Sequence, residues 1–500
     1  DHEETSRDRI NELPDHLLAT ILGNLDTRSS AATSVLARRW RYLWKSVPRL
    51  RFSCHDAMQP TYLRRFIRAH KYAFVKPSLC QWRRQVRVSD ERLINRHESR
   101  ILERSLSGFL HASGYDGKTS NNTRIISLVL DCYMKDHYAK LIDQLLRLAI
   151  CRGVEDLNLR TTVGYHSTET GTTPYQFPLY LFSGSTGSSL MKLKLGECTL
   201  NIPVGFDGLK SLIEISFDRM HISEEMIQTL LEKCPTLRSF HLNSCLGITN
   251  LKIDSKRLEL RELIVNNCSW ITKIEVAAPK LQRFRYTGKC ITMVLAPDLT
   301  IGHAWLDNRN RHDGDSIKYI IEKLPVDFPQ LTCVNIVVST YQLKWNPVTP
   351  RTLPAIFKSL RSLTLQVTMH LNDDLAWVTM LLDAAPLLEN FQIQVFANER
   401  REQQGGVVWD PTDFEHRHLR QVKLYYFRTR RREMALVRLM LSRAPLLQTI
   451  TFFHGCLDWH EDWNSEYVES EEDWSREQQS AIRESLAEWN RFGACLQFRP

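Results

Sequence analysis

Three features of the sequence predict an α/β chain: a small helical module at the N-terminus, then a long repetitive body in which short strands alternate with helices. Residues Asp8 to Phe52 carry Leu and Trp at helical spacing. A six-residue apolar pattern recurs through most of the remaining sequence, and helix-like stretches ending at Cys-Pro or Ala-Pro separate several of its copies.

In the N-terminal module Pro14 suits the first position of a helix, and Leu17, Leu18, Ile21, Leu22 and Leu25 then share one wide apolar face. A second short helix is expected to start after Asp26 or Thr27, either of which can cap it, and to turn Ala31, Ala32, Val35 and Leu36 inward. Trp40, Leu43, Trp44 and Val47 give the stripe of a third. Helices this short are marginal alone, and a module of about 40 residues is near the smallest that buries its own core. So much apolar surface implies a partner.

The strings L-P-x-x-L-L-x-x-I-L-x-x-L from Leu13 and T-S-V-L-x-x-R-W-R-x-L-W up to Trp44 resemble the F-box of plant F-box proteins. The resemblance implies docking on a Skp-type adaptor, which links such proteins to a cullin scaffold and a ubiquitin-charged enzyme. Carried over position by position, the adaptor-facing candidates are Leu13, Pro14, Leu17, Leu18, Ile21, Leu22, Leu36, Trp40 and Trp44. Asp26 departs from the Pro of many relatives, which touches only a turn. The alternative is a helical bundle docked on the chain's own remainder.

Composition bounds the rest. The 500 residues are 43% hydrophobic and 25% charged, ordinary values for a folded chain with a sizeable core. No run approaches about 18 uncharged apolar residues and no charged-then-apolar leader opens the chain, so neither a membrane span nor secretion is expected. The first residue is Asp1 rather than Met, which leaves upstream residues unrepresented. The 12 cysteines include no C-x-x-C pair, so zinc ligation is not expected and the thiols read as reduced and mostly buried. A nuclear or cytoplasmic setting is the expectation. The net charge of +9 is uneven: Thr61 to Arg104 holds twelve Lys/Arg against four Asp/Glu, whereas Asp458 to Glu477 holds nine acids and one Arg.

In the body the pattern L-x-x-Φ-x-Φ, with Φ apolar, recurs eleven times, from Val154/Leu157/Leu159 to Leu447/Ile450/Phe452. Its leading residues from Leu190 to Leu281 step by 22, 25, 23 and 21, and those from Leu331 to Leu447 by 29, 28, 31 and 28. These are close to leucine-rich repeat periods. Each x-Φ-x-Φ predicts a short strand with alternate side chains inward. Cys198, Cys245 and Cys268 each come three residues after such a strand, which resembles the cysteine-type and plant-irregular leucine-rich repeats. Helices are expected from Ser223 to Cys234 and before Pro386 and Pro445, each P-x-L-x-x-Φ-x-Φ marking a helix-to-strand corner. A parallel concave sheet with convex helices is the expected consequence. The gap between Leu281 and Leu331 predicts a degenerate repeat around Ile291 to Val294 together with a loop near Asp307 to Asp315. His418 to Phe453 is similar to the FBD region that closes many plant F-box proteins, and Leu141 to Leu159 resembles the opening of their repeat array. The expected domains are therefore residues 1–52, F-box; 53–124, a basic helical connector poorly matched to the family; 125–415, leucine-rich repeats; and 416–500, FBD-like closing repeats with an acidic tail. That tail is expected to run as a loop into a helix from Ile482 to Phe492. Gly164 to Thr173, Ser183 to Ser189 and Asn398 to Thr412 read as surface loops.

Catalytic constellations do not emerge. Residues 112–119 fit a loose phosphate-loop pattern but lead into a strand-like run rather than a helix, which removes the N-terminus that would meet the phosphate. His460 to Asn464 lacks the second His of a zinc-protease helix, and no G-x-S-x-G occurs. Arg92, Arg96, Arg100 and Arg104 fall on one helical stripe that would suit a polyanion, beside an apolar side of Leu93, Ile101, Leu102 and Leu106; the plainer reading is a solvated helix face tempered by Glu98 and Glu103. Related receptors hold an inositol polyphosphate on basic surfaces, which makes that ligand conceivable, although no motif here matches and no cofactor or metal is expected.

The resemblance implies the substrate-recognition subunit of an SCF-type E3 ubiquitin ligase. It would be non-catalytic: the F-box takes the adaptor and the repeats take an unknown protein target. Target contacts are expected from polar alternates of the strands such as Lys192, Lys194, Glu214, Ser216, Arg238, His241, Glu262, Arg283 and Arg285. The alternatives are a scaffold that binds nucleic acid or a phosphorylated ligand through 61–104, and an F-box adaptor that marks nothing for degradation.

Overall fold

The computed structural model describes residues 9–53, 102–112, 124–133, 138–162, 174–184, 189–254, 258–296, 298–308, 316–339, 356–369, 375–397, 415–459, 465–468 and 473–500. They form two compact units that meet in sequence at Gly247 and Ile248, with 257–259 belonging to the first.

The first unit begins with the helical module. Helix Asp15–Leu22 comes after Pro14, which is extended (φ −61°, ψ 150°) and lies just before the first helical residue. Asp26 caps helix Thr27–Ala32, its carboxylate accepting the Ser29 N–H at 2.9 Å. The expected third helix does not form. Three 3-10 turns, Thr33–Val35, Arg38–Arg41 and Leu43–Ser46, take its place, broken by extended Ala37 and by Tyr42. The breaks have a packing reason: they bring Trp40, Leu43 and Val47 onto Leu18 and Leu22 in one small core, with Leu13 and Ala37 at its edge. The Thr27 hydroxyl accepts the N–H of Arg51 at 2.9 Å, tying the module to strand Arg49–Ser53.

That strand opens a parallel sheet, so the boundary expected at residue 52 falls inside a sheet strand. In order, the first unit's sheet holds Arg49–Ser53, Ser127–Tyr133, Asp156–Thr162, Lys192–Gly196, Glu214–Asp218 and Ser239–Asn243. The second unit's holds Glu262–Asn266, Arg283–Thr287, His303–Asn308, Cys333–Ser339, Ser362–Met369, Asn390–Ala397, Gln421–Tyr425, Thr449–Phe453 and Cys495–Arg499. Within each unit the strands of this sheet lie side by side in sequence order, and all eleven expected copies of the pattern are strands, with their Φ residues buried.

One corner recurs. At most corners the carbonyl just before a strand accepts two consecutive N–H groups from the start of the next: Met191 O takes those of Ile213 and Glu214, and Ile213 O those of Arg238 and Ser239. In the second unit Arg361 O takes Glu389 and Asn390, and Glu389 O takes Arg420 and Gln421. At the far strand end Glu197, Arg219, Ser244, Asn267 and Tyr426 each adopt a left-handed conformation with φ between 49° and 53°. The chain turns sharply there, and the expected cysteines fill the space beneath: Cys245 meets Phe217 O at 3.5 Å, and burial pushes the Cys198 thiol up to about 12.

The other face differs from expectation in part. Helices Tyr138–Cys151, Glu224–Lys233, Ser316–Glu322, Ala376–Asp383, Arg431–Arg443 and Arg476–Leu486 come after their strands, Ser223 capping the second through the Met226 N–H at 3.2 Å. Between Asn250 and Leu295, however, the return segments are strands. Asn250–Asp254, Lys273–Ala277 and Thr292–Leu295 pair in parallel as a second sheet, because repeats of 20 to 23 residues leave too little chain for a helix. The expected degenerate repeat is therefore corrected: Ile291 to Val294 belongs to this second sheet. The extra main-sheet strand is His303–Asn308, with Ile301, Ala304 and Leu306 as its inward residues.

Just before strand Gln421–Tyr425, His416 is buried between repeats. Its Nε2 donates to Ala385 O at 2.9 Å and its Nδ1 accepts the Leu419 N–H at 3.1 Å, a pairing open only to neutral imidazole. Burial holds its pKa below the usual 6.5, and neighbouring His418 acts in the same direction, while the bond to Ala385 opposes them. The folded protein thus binds fewer protons at this site than the unfolded chain. Its contribution is complete above about pH 6.5 and declines as pH falls from there through the depressed folded value. We expect hydrogen exchange at the Leu419 amide to accelerate, beyond the intrinsic rate change, between pH 7.5 and 5, and a His416→Gln variant to lose that dependence.

Candidate functional site

Two surfaces are candidates, an apolar face on the N-terminal module and the polar face of the sheet. On the module, Leu17, Ile21 and Leu25 recur every four residues along helix Asp15–Leu22 and its exit, exposed by 42%, 46% and 41%. Val35 and Leu36 stand out at 85% and 69% where the chain enters the 3-10 turns, and Pro14 is exposed. Of the nine residues expected on this face, Pro14, Leu17, Ile21 and Leu36 therefore reach solvent. Leu18, Leu22 and Trp40 do not; they build the module's own core. Leu13 packs at the edge of that core, and half-buried Trp44 lies 6.2 Å from Phe109, a residue of the helical stretch 102–112 that also meets Phe52 at 5.5 Å. Val35, expected inside, points outward. The 3-10 turn at Thr33–Val35 changes the residue spacing and rotates it out, which period 3.6 could not show.

The module is held in register by Arg39, whose guanidinium meets Asp15 at 2.6 Å and donates to Leu13 O at 2.6 Å. An exposed ion pair of this kind is worth only about 0–1 kcal/mol; its effect is to fix the turns against the first helix. The result is a set of exposed aliphatic side chains on a small module, suited to burial against another protein.

The sheet's polar alternates line up across strands. In the first unit one row runs Asp156, Lys192, Glu214, Ser239, a second Asn158, Lys194, Ser216, His241, and a third Arg160, Gly196, Asp218, Asn243. Most of the charge is internally paired. Glu214 meets Lys194 at 2.8 Å and Lys192 at 3.6 Å; burial alone would raise its pKa, but the bond to Lys194 and both lysine charges outweigh that and hold it below the ordinary value. Arg160 and Asp218 pair at 2.7 Å, and Arg219 and Glu197 at 2.6 Å. Arg238 is exposed at a strand start. In the second unit Arg283 lies 3.6 Å from Glu262, whereas Arg285, expected at the surface, is buried with its guanidinium 3.9 Å over the Trp305 ring. On the same face Gln394 is fully buried and accepts the Leu457 N–H at 2.6 Å. The acidic segment is thus not a plain loop: Cys456–Trp459 and Ser465–Val468 pair as an antiparallel hairpin, and the helix beyond is Arg476–Leu486.

Of the arginine stripe, Arg104 is exposed on 102–112 while Leu102 and Leu106 are buried; Arg92, Arg96 and Arg100 lie outside the described residues, as do most of the phosphate-loop-like segment and the three expected surface loops apart from residues at their edges. Among the described residues no group of three or more His, Cys, Asp or Glu side chains could hold a metal ion, and no helix is long and apolar enough to cross a membrane.

With this geometry in view, two family descriptions match the chain: an F-box domain over residues 10–52, and the leucine-rich repeat domain of At1g61320/AtMIF1 over residues 118–488. The chain belongs to this leucine-rich repeat family and carries an F-box at its start. It is similar to the F-box protein At5g03100 of Arabidopsis thaliana, 25% identical over 56% of this chain and 69% of that protein. It is also similar to the F-box/FBD/LRR-repeat protein At2g04230 of the same plant, 28% identical over 51% of this chain and 47% of that one. A shorter match, 48% identical over 58 residues, covering 12% of each chain, is to the F-box/LRR-repeat protein At3g59210 of Arabidopsis thaliana. F-box domains in general bind Skp-type adaptors.

The division of the module into core and exposed face is directly measurable. Leu18→Ala should destabilise the module by about 2–5 kcal/mol, whereas Leu17→Ala should stay within about 0.5 kcal/mol of the parent, both read from hydrogen exchange of the Leu22 amide.

Proposed function

We propose that this protein is the substrate-recognition subunit of an SCF-type E3 ubiquitin ligase, its F-box binding the adaptor and its repeats binding a target protein. The observation that supports it is the row Leu17, Ile21 and Leu25 with Val35 and Leu36: aliphatic, exposed and not used by the module's own core. The mechanism is positional. Holding a target near a ubiquitin-charged enzyme replaces a bimolecular encounter with an effectively intramolecular one, so the chain needs no catalytic group, metal or cofactor of its own. The paired charges and intervening polar side chains of the first unit's sheet offer hydrogen-bonding surface for the target. A nuclear or cytoplasmic setting belongs to the same proposal.

Co-purification with a plant Skp-type adaptor tests it. The parent chain should retain the adaptor, and Leu17→Asp combined with Ile21→Asp should reduce recovery by at least about tenfold, since two buried carboxylates without partners cost well over the 1.4 kcal/mol that a factor of about ten represents. Unchanged module stability in the same variant shows that the fold is intact. Equal recovery from both chains would overturn the proposal.

A further inference from the structure

We infer that a cavity beside Arg428 binds a carboxylate carried next to an apolar side chain, on a peptide segment of the target; this rests on the target-recognition reading above. The cavity, about 330 Å³, lies where the turn after strand Gln421–Tyr425 meets helix Arg476–Leu486. Its floor is buried and largely apolar: Phe427, His454, Trp474 and Ile482. The size suits one or two side chains rather than an extended ligand.

Arg428 is held in place by contacts that leave part of its fork unused. Its Nη1 donates to the carbonyls of Phe427 and His454 and to His454 Nδ1, all at 3.2 Å, and its guanidinium carbon lies 4.1 Å from the centre of the Tyr426 ring. Every one of those hydrogen bonds uses the same nitrogen. Among the described residues no carboxylate pairs with Arg428. The nearest acid in sequence, Glu433, is buried and committed elsewhere, meeting the Arg430 guanidinium and the N–H groups of Arg428 and Arg430, each at 3.0 Å. Four of the five residues 428–432 are Arg, so the local field favours an anion.

The backbone points to the same place. Tyr426 has φ 53°, as do residues at the equivalent strand ends of other repeats, and Thr429, three residues on, has φ 54° where the repeat that carries Ser244 places a glycine, Gly247, at φ 89°. A β-branched residue in the left-handed region is strained, and strain of this kind collects at binding sites. Here it falls on the residue directly after the arginine.

A carboxylate fits better than a phosphate. A guanidinium fork matches a planar carboxylate edge to edge, whereas a phosphate dianion calls for several converging donors and carries a hydration shell that an aromatic floor cannot replace. Among the described residues Arg428 is the one Lys or Arg lining the cavity. The apolar floor then selects what stands beside the acid.

Ligand-observed NMR titration of the full chain tests this with N-acetyl-leucine, N-acetyl-leucinamide, N-acetyl-leucyl-glutamic acid α-amide and O-phosphoserine as probes. N-acetyl-leucine or the glutamyl probe should bind at least about tenfold more tightly than the leucinamide, the difference that a bond to a charged group typically makes. A preference for the glutamyl probe assigns a side-chain carboxylate, and the reverse a chain terminus; either supports the inference. Arg428→Gln should reduce the acids to the level of the amide. Because Arg428 also braces His454, a second variant is needed: Ala481→Phe, on the exposed wall, should block every probe while adaptor recovery stays unchanged, which separates this result from failure of the ligase proposal. Equal binding of acid and amide, probe binding indifferent to Ala481→Phe, or tighter binding of phosphoserine would overturn it.

Discussion

The structure depends on a doubled backbone hydrogen bond that recurs at most repeat corners, where one carbonyl takes two successive N–H groups from the next strand. That bond sets where those strands start, and with it the register in which Leu, Ile, Val and Phe alternates stack inward. A slip of one residue would turn the whole apolar set outward, so the corners and the core specify each other. Cys198, Cys245 and Cys268 serve the same end: each fills the space beneath a left-handed strand-end residue with a small, buried, uncharged thiol.

Regular corners permit irregular returns. Where the repeat is long, the chain comes back as a helix such as Glu224–Lys233; where it is short, as between Asn250 and Leu295, it comes back as a strand that joins a second sheet. Both bury an apolar side against the same stacked strands. At the C-terminal end the return segments do more than cover the core, since helix Arg476–Leu486 leaves a cavity over Phe427 and Trp474, and the hairpin after Thr449–Phe453 seals Gln394. The polar face is therefore not equally open along its length.

The N-terminal module follows a different economy. It closes a core on very few side chains, Leu18, Leu22, Trp40, Leu43 and Val47, by giving up a regular third helix. What remains outside is aliphatic because the same amphipathic helix is apolar around more than half its circumference. Trp44 is drawn away to Phe109, so the exposed face is narrower than a count of apolar residues suggests.

Much of this was legible in the amino-acid order alone. The eleven strands, their inward residues, the helix ends at Pro386 and Pro445, the caps at Asp26 and Ser223 and the kinship with F-box and leucine-rich repeat proteins all arise from local spacing and backbone chemistry, which act within a few residues. The repeat at Ile301, Ala304 and Leu306 is not legible in that order, because a small alanine stands where a large apolar residue is usual, and small side chains carry little periodic signal. Tertiary structure alone decided which face of the first helix is core, that Val35 turns outward, that Arg285 lies over Trp305 and that Arg428 borders a cavity. Each of these depends on contact between residues far apart in the chain, and an amphipathic pattern says only that a side chain is apolar or charged, not what it will meet.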